Sequence, residues 1–225
     1  MKLRFRLACF SLVLVLCLCS TLLTGCARKA PAFAELDFSS VDPDALIEVD
    51  SPTNLVKISV EGFGDVIVRL YPEVAPKTVK NFQSLVSQHF YDGLTFHRVV
   101  TDFMIQTGDP EGTGLGGSGQ EIRGEFSVNG FENNLKHIKG TVSMARRGDD
   151  NNSASSQFFI VQKTSSSNSS ALNGNYASFG YVVYGMEVVD AIAKVPVRNN
   201  ASTNEKSVPI TPVAISTIRF VKVQE

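Results

Sequence analysis

The sequence has no tryptophan and only three histidines in 225 residues, and its four cysteines all fall within the first 26. Each scarcity excludes something. Beyond Cys26 there is no thiol, so the rest of the chain can form no disulfide and must stand on its core alone. His89, His97 and His137 lack metal-ligand spacing, and no cysteine is at hand to complete a zinc site. Lysine plus arginine number 21 against 22 acids. No basic cluster breaks that balance, so nucleic acid is not an expected partner. The serines include no G-x-S-x-G elbow, and no Walker lysine follows a glycine-rich turn. "GLGGSG", Gly114 to Gly119, fits G-x-G-x-x-G by letter alone. No helix pattern begins after it, so glycines needing positive φ explain it better than a dinucleotide. "DDNN", Asp149 to Asn152, lacks the glycine and terminal glutamate of an EF-hand loop and reads as a solvated turn. No metal and no cofactor are expected.

What the chain does have begins at its N-terminus. Lys2, Arg4 and Arg6 precede "LACFSLVLVLCLCSTLL", an apolar run from Leu7 to Leu23. That is the pattern of a signal peptide, and it is short for a spanning helix. It ends in "LTGC", Leu23 to Cys26, which resembles the lipobox of bacterial lipoproteins. The resemblance implies cleavage before Cys26 and acylation of its sulfur, with two or more acyl chains for stable anchoring. The organisation expected is therefore a signal peptide over 1–25, a lipidated N-terminus and flexible tether over 26–53, and a domain over 54–225. Localisation would be the bacterial cell envelope, outside the cytoplasm. Losing residues 1–25 removes three cations and no acid, and moves the formal charge from −1 to −4.

From Asn54 onward, alternation predicts strands. "LVKISVE" and "DVIVRLY" flank "GFG" as a hairpin. "APKTVKNFQSLVSQHF" places Val79, Phe82, Leu85 and Val86 on one helical face, with Pro76 suited to the first turn. "LTFHRVV", "FMIQTG", "GTVSMAR", "SQFFIVQ", "SFGYVVY" and "TPVAISTIRFVKV" read as further strands. "GMEVVDAIAKV" reads as a short helix, and "TSSSNSSALNGNY" as an irregular loop. About eight strands and two helices result, mostly strand after strand. The expected fold is mainly β, a closed antiparallel eight-stranded barrel capped by two helices.

Arg98 stands out inside "FHRVVTDFMIQTGDP". No acid lies within three residues of it, in a segment that should bury at least one side. Such a charge either snorkels to water or is aimed at a ligand. Alternation puts Phe96 and Arg98 on one face and His97 on the other.

The motifs "FHRVVTDFMIQTGDPEGTGLGGSG", "GTVSMAR", "SQFFI" and "LNGNYASFGYVVYGMEVVDAI", in this order, resemble the cyclophilin family of peptidyl-prolyl isomerases over roughly residues 54–224. The resemblance implies an eight-stranded barrel with a peptide groove on its wall. It implies that Arg98 is the catalytic arginine, with Gln106 steadying it and bonding substrate backbone. Phe159 belongs to the catalytic set and, with Phe103, Met104 and Leu172, would line the proline pocket. Ala145, Arg146 and Gln157 would form the rim along which peptide lies. Two positions depart from the pattern. Ala171 stands where a tryptophan is common, and Tyr176 where a histidine is common. Both put cyclosporin binding and substrate preference in question and leave the arginine in place.

The chemistry suits this set. Rotation about X–Pro makes and breaks no bond to carbon, so it requires no nucleophile, metal or cofactor. The barrier comes from amide resonance. A guanidinium can bond the nitrogen as it regains its lone pair. The expected partners are X–Pro segments of exported proteins, met by a monomer. A proline-peptide-binding chaperone module with little turnover is the alternative.

Overall fold

The computed structural model describes residues 29–224. The signal-peptide segment and Cys26 lie outside the described residues. Among the described residues, eleven strands and three α-helices are formed. Strands β1 (Leu46–Val49), β2 (Leu55–Val60), β3 (Gly64–Leu70), β4 (Arg98–Val100), β5 (Met104–Thr107) and β6 (Thr141–Met144) come first in the chain. Then follow β7 (Phe158–Val161), β8 (Ser178–Tyr184), β9 (Val197–Asn199), β10 (Lys206–Pro209) and β11 (Ile215–Val223). The helices are α1 (Pro76–Ser87), α2 (Ser166–Leu172) and α3 (Met186–Ile192).

Nine strands form one antiparallel sheet in the order β1-β11-β2-β3-β8-β6-β7-β5-β4, and β9 and β10 make a separate hairpin. The expected hairpin is β2–β3, in register from Leu55↔Arg69 to Val60↔Gly64. The closed eight-stranded barrel is corrected in two respects. The sheet has nine strands, because β1 pairs with β11 from Leu46↔Val223 to Val49↔Phe220. Its ladder also stays open, ending at β1 and β4. Near that gap the chain before β4 meets the start of β11. Phe96 N–H donates to Val213 O at 2.9 Å and Ile215 N–H to Leu94 O at 2.8 Å, around an isolated Thr95↔Ala214 bridge.

The tether expected over 26–53 does not describe its later part. Leu36 is buried with Tyr71, Val74 and Leu135, and Phe33, Phe38 and Tyr181 pack against them. Phe38 meets the Tyr181 ring edge-on at 4.8 Å, and the Tyr71 hydroxyl donates to Asp37 O at 2.5 Å. The segment is small, acidic and aperiodic in sequence, yet its spaced apolar side chains pack on the domain. It docks as a strap and then as an edge strand.

Helix α1 shows how distant residues fix an element. It lacks a side-chain N-cap of its own. Glu125, itself buried, accepts from Lys77 N–H at 3.0 Å and from Thr78 N–H at 2.9 Å and Oγ1 at 2.8 Å. A carboxylate there satisfies orphan donors and complements the helix dipole. The predicted face is buried, and Phe82 packs on Tyr91, Phe158 and Phe179 at 5.2–5.4 Å. Helix α2, additional to the two expected, corrects the irregular-loop reading. Serine is a weak helix former, but Ser165 Oγ caps the helix by accepting from Asn168 N–H at 3.1 Å.

If the strap stabilises the domain, Leu36→Ala should lower stability by about 2 kcal/mol, the lower end for a buried leucine. That corresponds to a Tm loss of about 4–8 °C. Thermal unfolding of the soluble domain with residues 29–53 present measures it. An unchanged Tm would return this segment to a tether.

Candidate active site

Cross-strand register builds the site. Arg98 on β4 lies opposite Gln106 on β5, Gln106 opposite Phe159 on β7, and Phe159 opposite Ser143 on β6. Residues directly opposite share a face, so one rung carries the arginine, the amide and the aromatic ring side by side. On the same face Met104, Phe159, Val161 and Leu172 form a small buried cluster, joined by Val100, Phe103, Ala145 and Tyr176. The alternate residues Val99, Ile105, Phe158 and Ile160 enter the main core. These strands are apolar on both faces because one packs the core and the other floors a groove of about 370 Å³.

The groove is lined by Arg98, Phe103, Met104, Gln106, Ala145, Arg146, Phe159, Leu172 and Tyr176. Nine of the ten groove residues named from sequence therefore converge. The tenth, Gln157, lies beside them in an adjoining depression. It accepts from Gln106 Nε2 at 2.8 Å and donates from its own Nε2 to Gly114 O and Gly116 O at 3.0 and 2.8 Å. The loop that offers those carbonyls folds around Asp109, whose carboxylate accepts from the N–H groups of Glu111, Thr113 and Gly114. These bonds hold the Asp109 carboxyl below its ordinary range against the opposing effect of burial. Gly108 opens that loop at φ +88°, where a Cβ would stand 2.4 Å from Ser156 O.

Arg98 is held from two sides. Its Nη1 donates to Gln106 Oε1 at 3.1 Å. Its Nε and Nη2 donate to Glu205 Oε2 and Oε1 at 2.7 and 2.8 Å. The guanidinium carbon sits 5.9 Å from the Phe103 ring centre. Phe159 is edge-on to Tyr176 at 5.8 Å and stacked on His137 at 6.1 Å. Arg146 stacks over Tyr176 at 4.9 Å and over Phe126 at 5.4 Å, and its Nε donates to Asn175 O at 3.0 Å. It is a framing residue of the rim, with its head already engaged.

Sequence reasoning missed Glu205, which is 107 positions from Arg98, and also His137. His97 needs a correction. Alternation turned it away from the site, but it precedes β4, where the strand geometry has not yet set in, and it lines the groove. Both its ring nitrogens are buried without a hydrogen-bond partner. Burial, reinforced by the Arg98 charge and opposed by Asp109, lowers its pKa and so favours the uncharged ring. Ala171 is exposed at the end of α2. Among the described residues there is no cluster of three or more potential metal ligands.

The groove is thus a sheet face with an arginine pinned over an apolar floor, and the sequence comparisons give the chain a family. Residues 55–218 match the family model described as cyclophilin type peptidyl-prolyl cis-trans isomerase/CLD. The chain belongs to that family. It is 40% identical over 153 residues to the peptidyl-prolyl cis-trans isomerase-like 3 protein of Gallus gallus, covering 68% of this chain and 90% of that protein. It is 48% identical over 85 residues to a bifunctional phosphatase/peptidyl-prolyl cis-trans isomerase of Streptococcus pyogenes serotype M6. That match covers 38% of this chain and only 18% of the streptococcal protein's length. Among solved structures, the cyclophilin-type isomerase of Cryptosporidium parvum, crystallised in the presence of the dipeptide Ala-Pro, superposes with a TM-score of 0.63 at 30% identity. The superposition covers 74% of this chain and 98% of that one.

His137 gives the groove a pH-dependent support. Its Nδ1 lies 3.0 Å from Asn173 Oδ1 and its Nε2 3.0 Å from Ser143 Oγ. Burial lowers its pKa from 6.5 to about 4. Between those values the unfolded chain binds more protons, so stability rises with pH there. The contribution is complete above about pH 6.5 and lost as pH falls toward 4, on the order of 3 kcal/mol in all. Urea unfolding across this window should show the slope. His137→Gln, which can still bond Ser143, should flatten the slope between about pH 5 and 6.5, leaving the share from His97 and, toward pH 4, the onset of carboxylate titration at groups such as Asp109 and Glu205. An equal slope in the variant would show that His137 is not the titrating group.

Proposed function

We propose that this protein is a peptidyl-prolyl cis-trans isomerase of the bacterial cell envelope, anchored through lipid on Cys26 and acting on X–Pro segments of exported proteins. The observation that carries the catalytic reading is the single rung of Arg98, Gln106 and Phe159 above an apolar floor. The family membership and the Ala-Pro-treated relative are consistent with a proline-sized occupant.

The mechanism follows from the geometry. The proline ring seats on Phe159, Met104 and Leu172, while the preceding carbonyl is free to swing. Twisting the amide removes its resonance and returns the lone pair to nitrogen. Of the five N–H groups on Arg98, Glu205 takes two and Gln106 one. One N–H on Nη2 remains for that nitrogen. The second on Nη1 faces only the Met104 sulfur at 3.8 Å, a weak acceptor. A bond that forms only to the twisted state lowers the barrier without holding the planar substrate tighter. Gln106 and the rim at Ala145, Arg146 and Gln157 keep the peptide backbone in line. No proton moves, which suits a permanently charged arginine.

The envelope reading rests on the basic start, the apolar run, the LTGC junction and the lack of any cysteine after Cys26. Its function there would be to speed proline-limited folding, a step that otherwise takes tens of seconds or longer.

Arg98→Ala should leave the fold intact and lower kcat/KM on an X–Pro peptide by roughly two to three orders of magnitude. Exchange NMR or a protease-coupled assay reads this. Wild-type protein that binds the peptide without turning it over would favour a proline-binding module instead. In cells, Cys26→Ala should abolish labelled-palmitate incorporation and move the protein out of the detergent phase. A wild-type protein carrying no lipid would remove the anchor from this reading.

A further inference from the structure

The Glu205 carboxylate is delivered to Arg98 by a turn built for rigidity. That turn joins β9 to β10. Asn200 N–H donates to Glu205 O, and Asn204 N–H to Asn200 O, both at 2.8 Å. The Asn200 side chain accepts from Ser202 N–H at 2.8 Å and from Thr203 N–H at 3.2 Å. Asn204 takes the left-handed conformation at φ 57°, and its side chain accepts from Asn199 Nδ2 at 3.0 Å. The base of the hairpin is tied as well, with Ile210 N–H donating to Pro196 O at 2.9 Å. The backbone that carries Glu205 into β10 is thus tied at several points.

The pair it makes is bidentate and side-on, through Nε and Nη2. That geometry fixes the plane of the guanidinium and not merely its position. Gln106 holds Nη1 from the opposite strand. With both flanks taken, one N–H on Nη2 is left without an acceptor among the described residues, and the second on Nη1 meets only the Met104 sulfur. Arg98 donates to the carboxylate strongly enough to lower the Glu205 pKa, so the pair is ionised at neutral pH. Both side chains are about one-third exposed, at 33% and 36%. Salt and water therefore weaken the pair as a source of stability, but its geometry still orients the arginine.

We propose that Glu205 is a positioning residue for the isomerase reaction, orienting the Arg98 guanidinium toward the twisting amide. This inference rests on the proposed isomerase activity and names a further residue for the same groove. A competing effect exists in principle, because a carboxylate also damps the field of the cation it holds. Position decides here. A donor must lie within fractions of an ångström of the developing lone pair, and a misplacement of about 1 Å can cost two orders of magnitude in rate.

The experiment uses the soluble domain from residue 29 with wild type, Glu205→Gln and Glu205→Asp, and reads kcat and KM separately on one X–Pro peptide. Glu205→Gln is expected to lower kcat about tenfold to a hundredfold with KM within twofold. Glu205→Asp, too short to hold both nitrogens, should fall between. A folded Glu205→Gln variant with unchanged or higher kcat overturns the inference. A change confined to KM also overturns it, assigning Glu205 to substrate contact. The pair itself is read without substrate, from the Arg98 Nε–H signal in 15N–1H spectra, assigned by its absence in Arg98→Ala. Wild type should show a slowly exchanging signal that Glu205→Gln shifts and speeds up. Wild type without such a signal overturns the inference even if it turns over substrate. A wild type with the signal and no turnover refutes the isomerase reading, and with it a positioning role in that reaction.

Discussion

A permanently charged guanidinium on an apolar sheet face is the constraint around which the rest of the groove is arranged. Left free, Arg98 would snorkel to water on its flexible stem, since nothing apolar competes with hydration of the head. It is kept over the floor by two acceptors that approach from different parts of the chain, Gln106 on the adjacent strand and Glu205 on a distant hairpin. Each acceptor needs its own support. Gln106 is held by Gln157, and Gln157 by the carbonyls of Gly114 and Gly116. A run of hydrogen bonds thus crosses the groove wall from the hairpin to the glycine-rich loop, with every amide orientation fixed by the next. Such a network is specific only when all its members are satisfied.

The strands beneath that run must be apolar on both sides. One side faces Phe82 and the helices, and the other forms the floor of Met104, Phe159, Val161 and Leu172. This is why "FFIV" reads as a continuous apolar run and not as an alternating strand. An apolar outer face would normally invite aggregation. Here α2, the Arg146–Tyr176 stack and the β9–β10 hairpin enclose it until only a groove is left. The floor is therefore both a structural cluster and the apolar surface that lines the groove. His137 links these roles, since its ring backs Phe159 while its nitrogens tie Ser143 to Asn173.

Much of this was legible in the sequence where the information was local. Alternation and short apolar runs located β2 to β8 and β11, and period 3.6 found the buried face of α1. Arg98 could be singled out because a lone charge in an apolar strand is itself a signal. The motif resemblance then named nine residues that the fold does bring to one groove. What sequence could not supply was long-range or sparse. Glu205 lies in a polar turn, where one acid among Asn, Ser and Thr looks solvated. Glu125 as the cap of α1 is equally silent. The strap over residues 33–49 escaped notice because its six packing side chains, Phe33, Leu36, Phe38, Val41, Leu46 and Val49, follow no helical or strand period and stand among acids and small residues. The serine-rich α2 contradicts its own propensity, and is formed because its cap and the burial of Leu172 outweigh it. The open ladder depends on how the chain before β4 meets β11, which no periodicity encodes.

The absence of cysteine beyond residue 26 changes how such a domain must be stabilised. A domain of this size could use a disulfide worth a few kcal/mol through loop closure. This one instead joins sequence-distant segments by burial and pairing. Strand β1 meets the chain's last strand, residues 93–96 meet 213–215, and the strap covers Tyr71 and Tyr181. These contacts do the closing work of a crosslink, but they are lost together on unfolding, whereas a disulfide persists in the unfolded chain and lowers its entropy. Stability then rests wholly on the native state, and the domain gains nothing from an oxidising surrounding. The groove shares that dependence. Its floor, its arginine and its hairpin come from segments up to about a hundred residues apart, so the geometry that orients Arg98 exists only when the whole sheet is assembled.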